Sequence, residues 1–181
     1  MKKVPILIIL LMVICVVSIS AMDWFSFSPA LQDSHVLING GIGYGLTRQG
    51  SLSLPPLMFT VDVPVSLGGL PFSFGGMLGY YKSKWYDDVD DIKYYYRTLI
   101  FMGRADFHFP FELENLDFYA GFSLGWEVGF WDKKNPYYNN YSWPAAGIHA
   151  GFRYFFTKPF GVYAELGIER IFFNSGVTFR F

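Results

Sequence analysis

Cysteine is nearly absent from this sequence of 181 residues: only Cys15 occurs, within an apolar run near the N-terminus. A single cysteine cannot form an internal disulfide, and we expect no thiol in the processed chain. Charged residues make up 16% of the sequence and the formal net charge is −1. The basic surface that nucleic-acid binding requires is therefore missing, and no nucleic-acid partner is predicted.

Histidine is also scarce, and the three that occur do not suggest a reactive site. His35, His108 and His149 are far apart in the sequence and show no metal-ligand spacing. No serine, histidine and aspartate are predicted to converge. The acidic run at residues 87–91 lacks the glycine and spacing of a calcium loop, so we interpret it as a solvated tip. The sequence predicts no enzyme, no metal and no cofactor.

Long apolar runs are confined to the N-terminus. Two lysines precede an apolar run from Val4 to Val17, and the small residues Ser18, Ser20 and Ala21 follow. This order is typical of a secretory signal peptide, and the run is shorter than the roughly 20 residues that a membrane-spanning helix needs. We predict a signal peptide over residues 1–20, cut after Ser20 or after Ala21. Residues 21–35 are then an irregular lead-in that contains Pro29.

Alternation with a period of two dominates the rest of the chain, which has 21% aromatic residues and 19 glycines. In the clearest segment, Phe122 and Leu124 fall on one face and Ser123 on the other. The predicted strands cover residues 36–45, 57–66, 72–81, 94–109, 117–130, 144–155, 161–169 and 173–181. Short connections alternate with longer polar ones over most of this length, as in transmembrane barrels. The predicted fold is all-β: an eight-stranded antiparallel up-and-down transmembrane β-barrel over residues 36–181.

The two faces of these strands differ in size as well as polarity. One face holds large apolar side chains, and the other holds glycines with long polar side chains between them. A soluble lipocalin-like barrel would turn the apolar face inward, but the lumen of eight strands is too narrow for so many large side chains. We therefore expect a polar lumen network, which comprises Arg104, Asp106, Glu127, Arg153, Tyr163, Glu165 and Arg180.

Within this predicted network, we expect Glu165 to lie opposite Gly151 and Thr178. That register would place it between Arg153 and Arg180, with Tyr163 beside them. Buried charges need partners, so the network is interpreted as a structural plug, with a gated proton or ion path as the alternative.

The C-terminal segment resembles the assembly signal of bacterial outer-membrane barrels, through Asn174, Gly176, Phe179 and Phe181. With the predicted strand number and turns, residues 36–181 resemble the small eight-stranded barrels of the OmpA-membrane-domain, OmpX and OmpW type. This resemblance implies a location in the bacterial outer membrane, contact with outer-membrane lipids and insertion by the barrel-assembly machinery. It implies adhesion, envelope integrity or passage of small apolar molecules as roles.

Two hypotheses for the function follow from this resemblance. The first is a structural or adhesive barrel whose tyrosine-rich outer loops contact an extracellular protein or glycan, although such loops also suit the lipid headgroup zone. The second is a narrow channel for small apolar molecules. That channel would require an apolar outer half of the lumen.

Overall fold

The computed structural model describes residues 26–45, 51–87, 92–131, 139–168 and 171–181, so the predicted signal peptide lies outside the described residues. The strands are β1 (Leu37–Gly45), β2 (Ser51–Leu67), β3 (Leu70–Asp87), β4 (Ile92–Phe109), β5 (Leu116–Trp131), β6 (Tyr141–Phe155), β7 (Phe160–Gly167) and β8 (Ile171–Arg180). Each strand is antiparallel to the next, and β8 pairs with β1. This closed barrel confirms the predicted fold. No helix among the described residues is long and apolar enough to cross a membrane.

The strands differ in length, so the barrel wall is uneven. We call the end with the β3–β4 hairpin the upper end, and the end with both chain termini of the barrel the lower end. Strands β2 to β6 have 15 to 18 residues, whereas β1, β7 and β8 have 8 to 10. The five long strands therefore continue upward beyond the three short ones.

Several predicted upper loops belong to these long strands. β2 begins at Ser51 instead of residue 57, and pairing between β3 and β4 continues up to the pair Asp87 and Ile92. The predicted loops at 46–56 and 82–93 are therefore mostly strand. The reason is that above the apolar belt the outward face is also polar, as at Lys84, so the contrast between faces that marks a strand in the sequence fades while the pairing persists.

Prolines mark the raised parts of the two outermost long strands. Pro144 lies in β6 above His149, the uppermost β6 residue that pairs with β7. Pro55 and Pro56 lie in β2 above Leu57, where the described pairing with β1 ends. Proline has no backbone N–H and is tolerated at sheet edges, where it also opposes pairing with another chain.

The exterior of the barrel is apolar and its interior is largely polar, as predicted. Leu124 exposes 59% of its surface while the neighbouring Ser123 exposes 1%. Around the lower end, aromatic rings outside the barrel contact each other from strand to strand, with centroids 5.4 Å apart for Phe72 and Phe107 and for Phe160 and Phe179. This orientation excludes the lipocalin-like alternative, which would expose the polar face.

The described part of the lead-in packs against the lower end of the barrel. Residues 28–34 form turns, and Ala30 and Leu31 pack fully buried against Leu37 and Phe155. The last residue also takes part in closure, because the backbone N–H of Phe181 donates to the carbonyl of residue 36 over 3.0 Å. The described part of the lead-in is irregular, but it packs as part of the core.

Candidate functional site

The lower half of the lumen is organised around one buried guanidinium group. Arg153 donates to Asp62 and Asp117 over 2.9 Å each, and to the side chain of Asn39 over 3.2 Å. Its guanidinium carbon lies 4.0 Å from the ring centroid of Tyr119, and the side chain is fully buried. These partners come from three other strands, β1, β2 and β5, so Arg153 links walls of the barrel that are distant in the sequence.

A second guanidinium group lies directly above the first. Arg104 donates to Glu165 over 2.7 Å and to Asp106 over 3.2 Å, and its Nε lies 3.4 Å from Asp62. The Tyr119 hydroxyl also donates to Glu165, over 3.0 Å. Because Asp62 contacts both arginines, the two groups form one continuous network.

Two histidines complete this network. His149 Nε2 lies 2.7 Å from Asp106 and 2.8 Å from Arg104. His108 bridges two residues: Nδ1 lies 2.9 Å from Asp117 and Nε2 lies 2.9 Å from the hydroxyl of Ser73. Two guanidinium groups and two imidazole rings therefore face the four carboxylates of Asp62, Asp106, Asp117 and Glu165.

Ser73, His108 and Asp117 thus form a hydrogen-bonded series in the order of a catalytic triad, so the expectation that no such set converges was wrong. The three residues lie on β3, β4 and β5, and the register of these neighbouring strands brings them together. However, Ser73 is 1% exposed and Asp117 also pairs with Arg153. The ring of Phe27, from the lead-in, lies 5.9 Å from that of His108. The geometry is that of a buried hydrogen-bond chain.

Inward glycines provide the space for the large polar side chains. A Cβ added to Gly41 would lie 2.5 Å from the Tyr163 hydroxyl, and one added to Gly151 would lie 2.6 Å from the Tyr119 hydroxyl. Any larger residue would displace these rings. The glycine-rich inner face and the long polar side chains are therefore complementary parts of one packing arrangement.

The predicted arrangement around Glu165 was partly wrong. Glu165 lies opposite Gly151, as expected, but across β8 it faces Asn174 instead of Thr178. Its arginine partner is therefore Arg104, while Arg153 binds other carboxylates. Predicting this register failed because the length of the β7–β8 connection was estimated from sequence alone.

The remaining predicted residues lie apart from this centre. Arg180 is at the lower end, where it donates to the carbonyl of Lys158 and lies 4.2 Å from the Phe155 ring centroid. Glu127 is buried higher in the lumen and accepts a hydrogen bond from the Tyr141 hydroxyl. Tyr163 lies beside the network and donates to Asn174 over 3.0 Å.

Four of the eight ionisable groups in the network were not predicted from the sequence. Sequence reasoning singled out neither the carboxylates of Asp62 and Asp117 nor the imidazoles of His108 and His149. All four residues lie at positions that the alternating pattern assigns to the polar, inward face. The alternation was therefore the sequence feature that could have identified them as lumen residues. No cluster of histidine, cysteine and carboxylate side chains suited to a metal ion occurs within the described ranges. The predicted acidic tip at residues 87–91 lies mostly outside them.

An apolar layer lies above the polar network. Met58, Met77, Ile100 and Met102 face the lumen there and are 1–6% exposed. They form one cluster with Tyr81, Ala145 and Ile171. The upper half of the lumen therefore contains an apolar layer.

Comparisons with known proteins support the fold. No family model and no curated protein matches this sequence. The structure of Ail, the attachment invasion locus protein of Yersinia pestis, in complex with the heparin analogue sucrose octasulfate, matches with a TM-score of 0.51 and 12% identity, over 82% of this chain and 97% of that chain. The chain has the fold of an eight-stranded outer-membrane β-barrel.

Two further solved barrels match at lower TM-scores. The N-terminal β-barrel domain of Pseudomonas aeruginosa OprF has a TM-score of 0.48 and 17% identity, over 82% of this chain and 98% of that chain. Yersinia pestis Ail in a phospholipid bilayer nanodisc has a TM-score of 0.47 and 14% identity, over 82% of this chain and all of that chain. At these identities the similarity concerns the fold of the barrel.

Proposed function

We propose that this protein is an integral barrel of the bacterial outer membrane with a closed lumen, and that it serves a structural or adhesive role through the surface above the bilayer. The extension of β2 to β6 beyond β1, β7 and β8 carries this proposal. A transmembrane β-strand needs only about 9–11 residues to span the bilayer. Five strands of greater length are therefore not required for membrane insertion alone, and their extra length is available for contacts above the bilayer.

The contents of the lumen support the absence of a continuous pore. The two arginine-centred clusters occupy the lower half, and the buried lead-in residues Ala30 and Leu31 cover the lower mouth. An eight-stranded barrel has a lumen just wide enough for side chains to fill it. Opening a water-filled path would require both the network and the lead-in to move.

The faces of the raised sheet, and not its edges, are the proposed contact surface. Pro144 and the pair Pro55 and Pro56 oppose strand addition at both edges. Exposed aromatic residues lie near the top of β5 and β6, where Phe130 is 41% and Trp143 54% exposed. Aromatic side chains are enriched at protein interfaces, so an extracellular protein or glycan is the proposed partner.

Binding of proteoliposomes to glycan arrays and to immobilised extracellular proteins tests this role. Trp143→Ser should reduce binding at least tenfold if the raised sheet is the contact surface. Phe160→Ser, at the lower end, is the matched control and should bind as the unmodified protein does. Equal binding by both variants, or no binding by the unmodified protein to any surface, would count against adhesion.

A narrow channel for small apolar molecules is the second candidate. The apolar layer of Met58, Met77, Ile100 and Met102 favours it, because such a ligand needs an apolar lumen. Uptake of an apolar fluorescent probe into proteoliposomes tests this candidate directly. Met77→Arg should abolish uptake if the layer is the path, whereas uptake equal to that of empty liposomes would reject the channel.

A further inference from the structure

The outward face of β3 and β4 changes character in an orderly way from the middle of the barrel to its upper end. Residues directly paired across the two strands form successive rungs. From the middle upward these rungs are Gly76–Gly103, Leu78–Phe101, Tyr80–Leu99, Lys82–Arg97, Lys84–Tyr95 and Tyr86–Lys93. From the middle upward, the outward face therefore has first a pair of glycines, then apolar side chains, and then four cationic side chains.

The glycine rung leaves a groove on the lipid-facing surface. A groove of about 420 Å³ is lined by Phe59, Leu78 and Phe101 on either side of Gly76 and Gly103. A Cβ added to Gly76 would meet only Met102 O, at 3.7 Å, and one added to Gly103 would approach Leu124 O no closer than 3.8 Å. A side chain at either position would therefore not clash with the barrel, in contrast to the inward glycines Gly41 and Gly151. We infer that these two glycines leave space for a molecule outside the barrel.

This groove continues upward toward the cations. A second groove of about 350 Å³ shares Leu78 and Phe101 with the first and extends to Tyr80 and Leu99. A third, of about 410 Å³, lies against Leu99 and Arg97. The second and third grooves share Tyr80 and Leu99, so the three follow one another along β3 and β4 up to the first cationic rung, and we call this series the trough.

The cations lie where a lipid headgroup would be. Lys82 lies six positions after Gly76, which corresponds to about 20 Å along a strand. With a strand tilt of about 45°, the vertical distance is about 14 Å, close to half of a hydrocarbon core of about 30 Å. Lys84 and Lys93 are exposed on the next rungs, and the Lys82 ammonium lies 4.3 Å from the Tyr95 ring centroid.

We propose that the outward face of β3 and β4 is a binding site for an anionic, phosphate-bearing lipid of the outer leaflet. One acyl chain occupies the trough above Gly76 and Gly103, and the phosphate binds the cluster of Lys82, Lys84, Lys93 and Arg97. Phosphate and cation attract each other strongly beside the low dielectric of the bilayer. The site rests on the proposed membrane location and adds a specific lipid partner to it.

Lipid selectivity in mixed nanodiscs tests the cationic part of the site. The unmodified protein, released and analysed by native mass spectrometry, should retain phosphatidylglycerol at least fivefold more often than phosphatidylcholine with the same acyl chains. The double variant Lys84→Gln/Lys93→Gln should lose most of this preference. Lys158→Gln, at the lower end, is the control and should keep it.

Filling the groove tests the apolar part. Gly103→Leu should reduce the retained phosphatidylglycerol at least threefold, and Gly103→Ala should reduce it by a smaller amount. Gly40→Leu is the matched control, since Gly40 is also on the outward face and a Cβ there would meet nothing within 4 Å. If Gly103→Leu fails to fold, the retention of phosphatidylglycerol by Gly103→Ala tests the trough instead, and retention equal to that of the unmodified protein would contradict it.

Three outcomes would overturn this proposal. Equal retention of the two lipids by the unmodified protein would exclude selectivity for phosphate. Equal effects of Gly103→Leu and Gly40→Leu would exclude the trough. Displacement of the lipid by heparin at low concentration would assign the cations to a soluble polyanion instead. In each case a barrel that still inserts into nanodiscs leaves the proposed membrane location intact, whereas a failure to insert contradicts that location itself.

Discussion

At the scale of single residues, Arg153 shows how a charge is accommodated inside a narrow barrel. It pairs with two carboxylates, donates to an amide oxygen and stacks on a tyrosine ring. Removing one member of such a buried group leaves the others uncompensated, which costs more than the pair contributes. The effect of a substitution should therefore depend on how many partners remain.

We predict that Arg153→Met destabilises the barrel by about 3–5 kcal/mol, because Asp62 and Asp117 would lose their shared cation. Glu165→Gln should cost less, since Arg104 keeps Asp62 and Asp106 as partners. Urea unfolding of the refolded protein in lipid measures both. Arg180→Met, at the partly exposed lower end, serves as the control. A Glu165 variant less stable than the Arg153 variant would refute this ranking.

Glycines of the lumen should be far less tolerant than outward ones. We predict that Gly151→Ala costs about 1–3 kcal/mol, because its methyl group would overlap the Tyr119 ring and strain the packed core. Gly40→Ala adds the same methyl group where no atom lies within 4 Å, so its cost should be small. Denaturant midpoints of the two variants give the comparison, and similar losses would show that inward packing is not tight.

At the scale of strands, β8 has two roles that experiments can separate. Its backbone closes the barrel, since residues 174–180 pair with β1 and Phe181 bonds to residue 36. The Phe181 side chain itself is 63% exposed and contributes little to this closure. We therefore expect the Phe181 side chain to affect recognition of the barrel during membrane insertion, and the backbone pairing of β8 to affect the stability of the folded barrel.

Phe181→Asp should lower the amount of barrel in the outer membrane of cells while hardly changing the stability of protein refolded in vitro. The backbone bonds that Phe181 makes do not depend on its side chain. Quantitative blots of membrane fractions, with urea unfolding of the purified variant, measure the two effects. Gly176→Ala is the informative comparison, because its Cβ would crowd the backbone of Gly41 and should reduce stability as well. Normal cellular levels of Phe181→Asp would rule out the assembly signal.

Strand β5 tests which face meets the lipid. Leu124→Arg should destabilise the barrel by about 2–4 kcal/mol, the range for a cation on the lipid face near the middle of the bilayer. Ser123→Ala, one residue away but turned inward, should cost much less. Both are measured by unfolding in lipid vesicles. A larger loss for Ser123→Ala would contradict the orientation of the faces.

At the scale of the whole molecule, the wall is low over β7, β8 and β1 and high over the other five strands. Below the upper rim, the lumen has an apolar layer, then the charged network, then the lead-in. In this order the buried lead-in residues lie on the lower side of the polar network. Selective ion flow would have to cross all three layers.

We therefore expect no conductance steps from the purified barrel in planar bilayers. Deleting residues 26–34 should still give no steady current, since the network of Arg104 and Arg153 remains. The protein should also migrate differently on gels before and after boiling, which confirms that a folded barrel was tested. Steady single-channel current from the intact protein would reject the closed lumen.

The sequence by itself was enough to establish the strand number and the orientation of each strand. Both follow from side chains alternating with a period of two, so that Leu124 must face away from Ser123 wherever the strand pairs. The location of the strands within the apolar belt was also predictable. Their upper ends were not, because above the belt both faces become polar while pairing continues.

Tertiary structure alone decided which charged groups meet. Arg153 binds Asp62 and Asp117 across the lumen, and Arg104 takes the Glu165 that the sequence analysis had assigned to Arg153 and Arg180. These contacts depend on the register of every strand pair and on the closure of β8 onto β1. A small error in one connection moves a side chain several ångströms along the barrel axis, which is enough to exchange one buried partner for another.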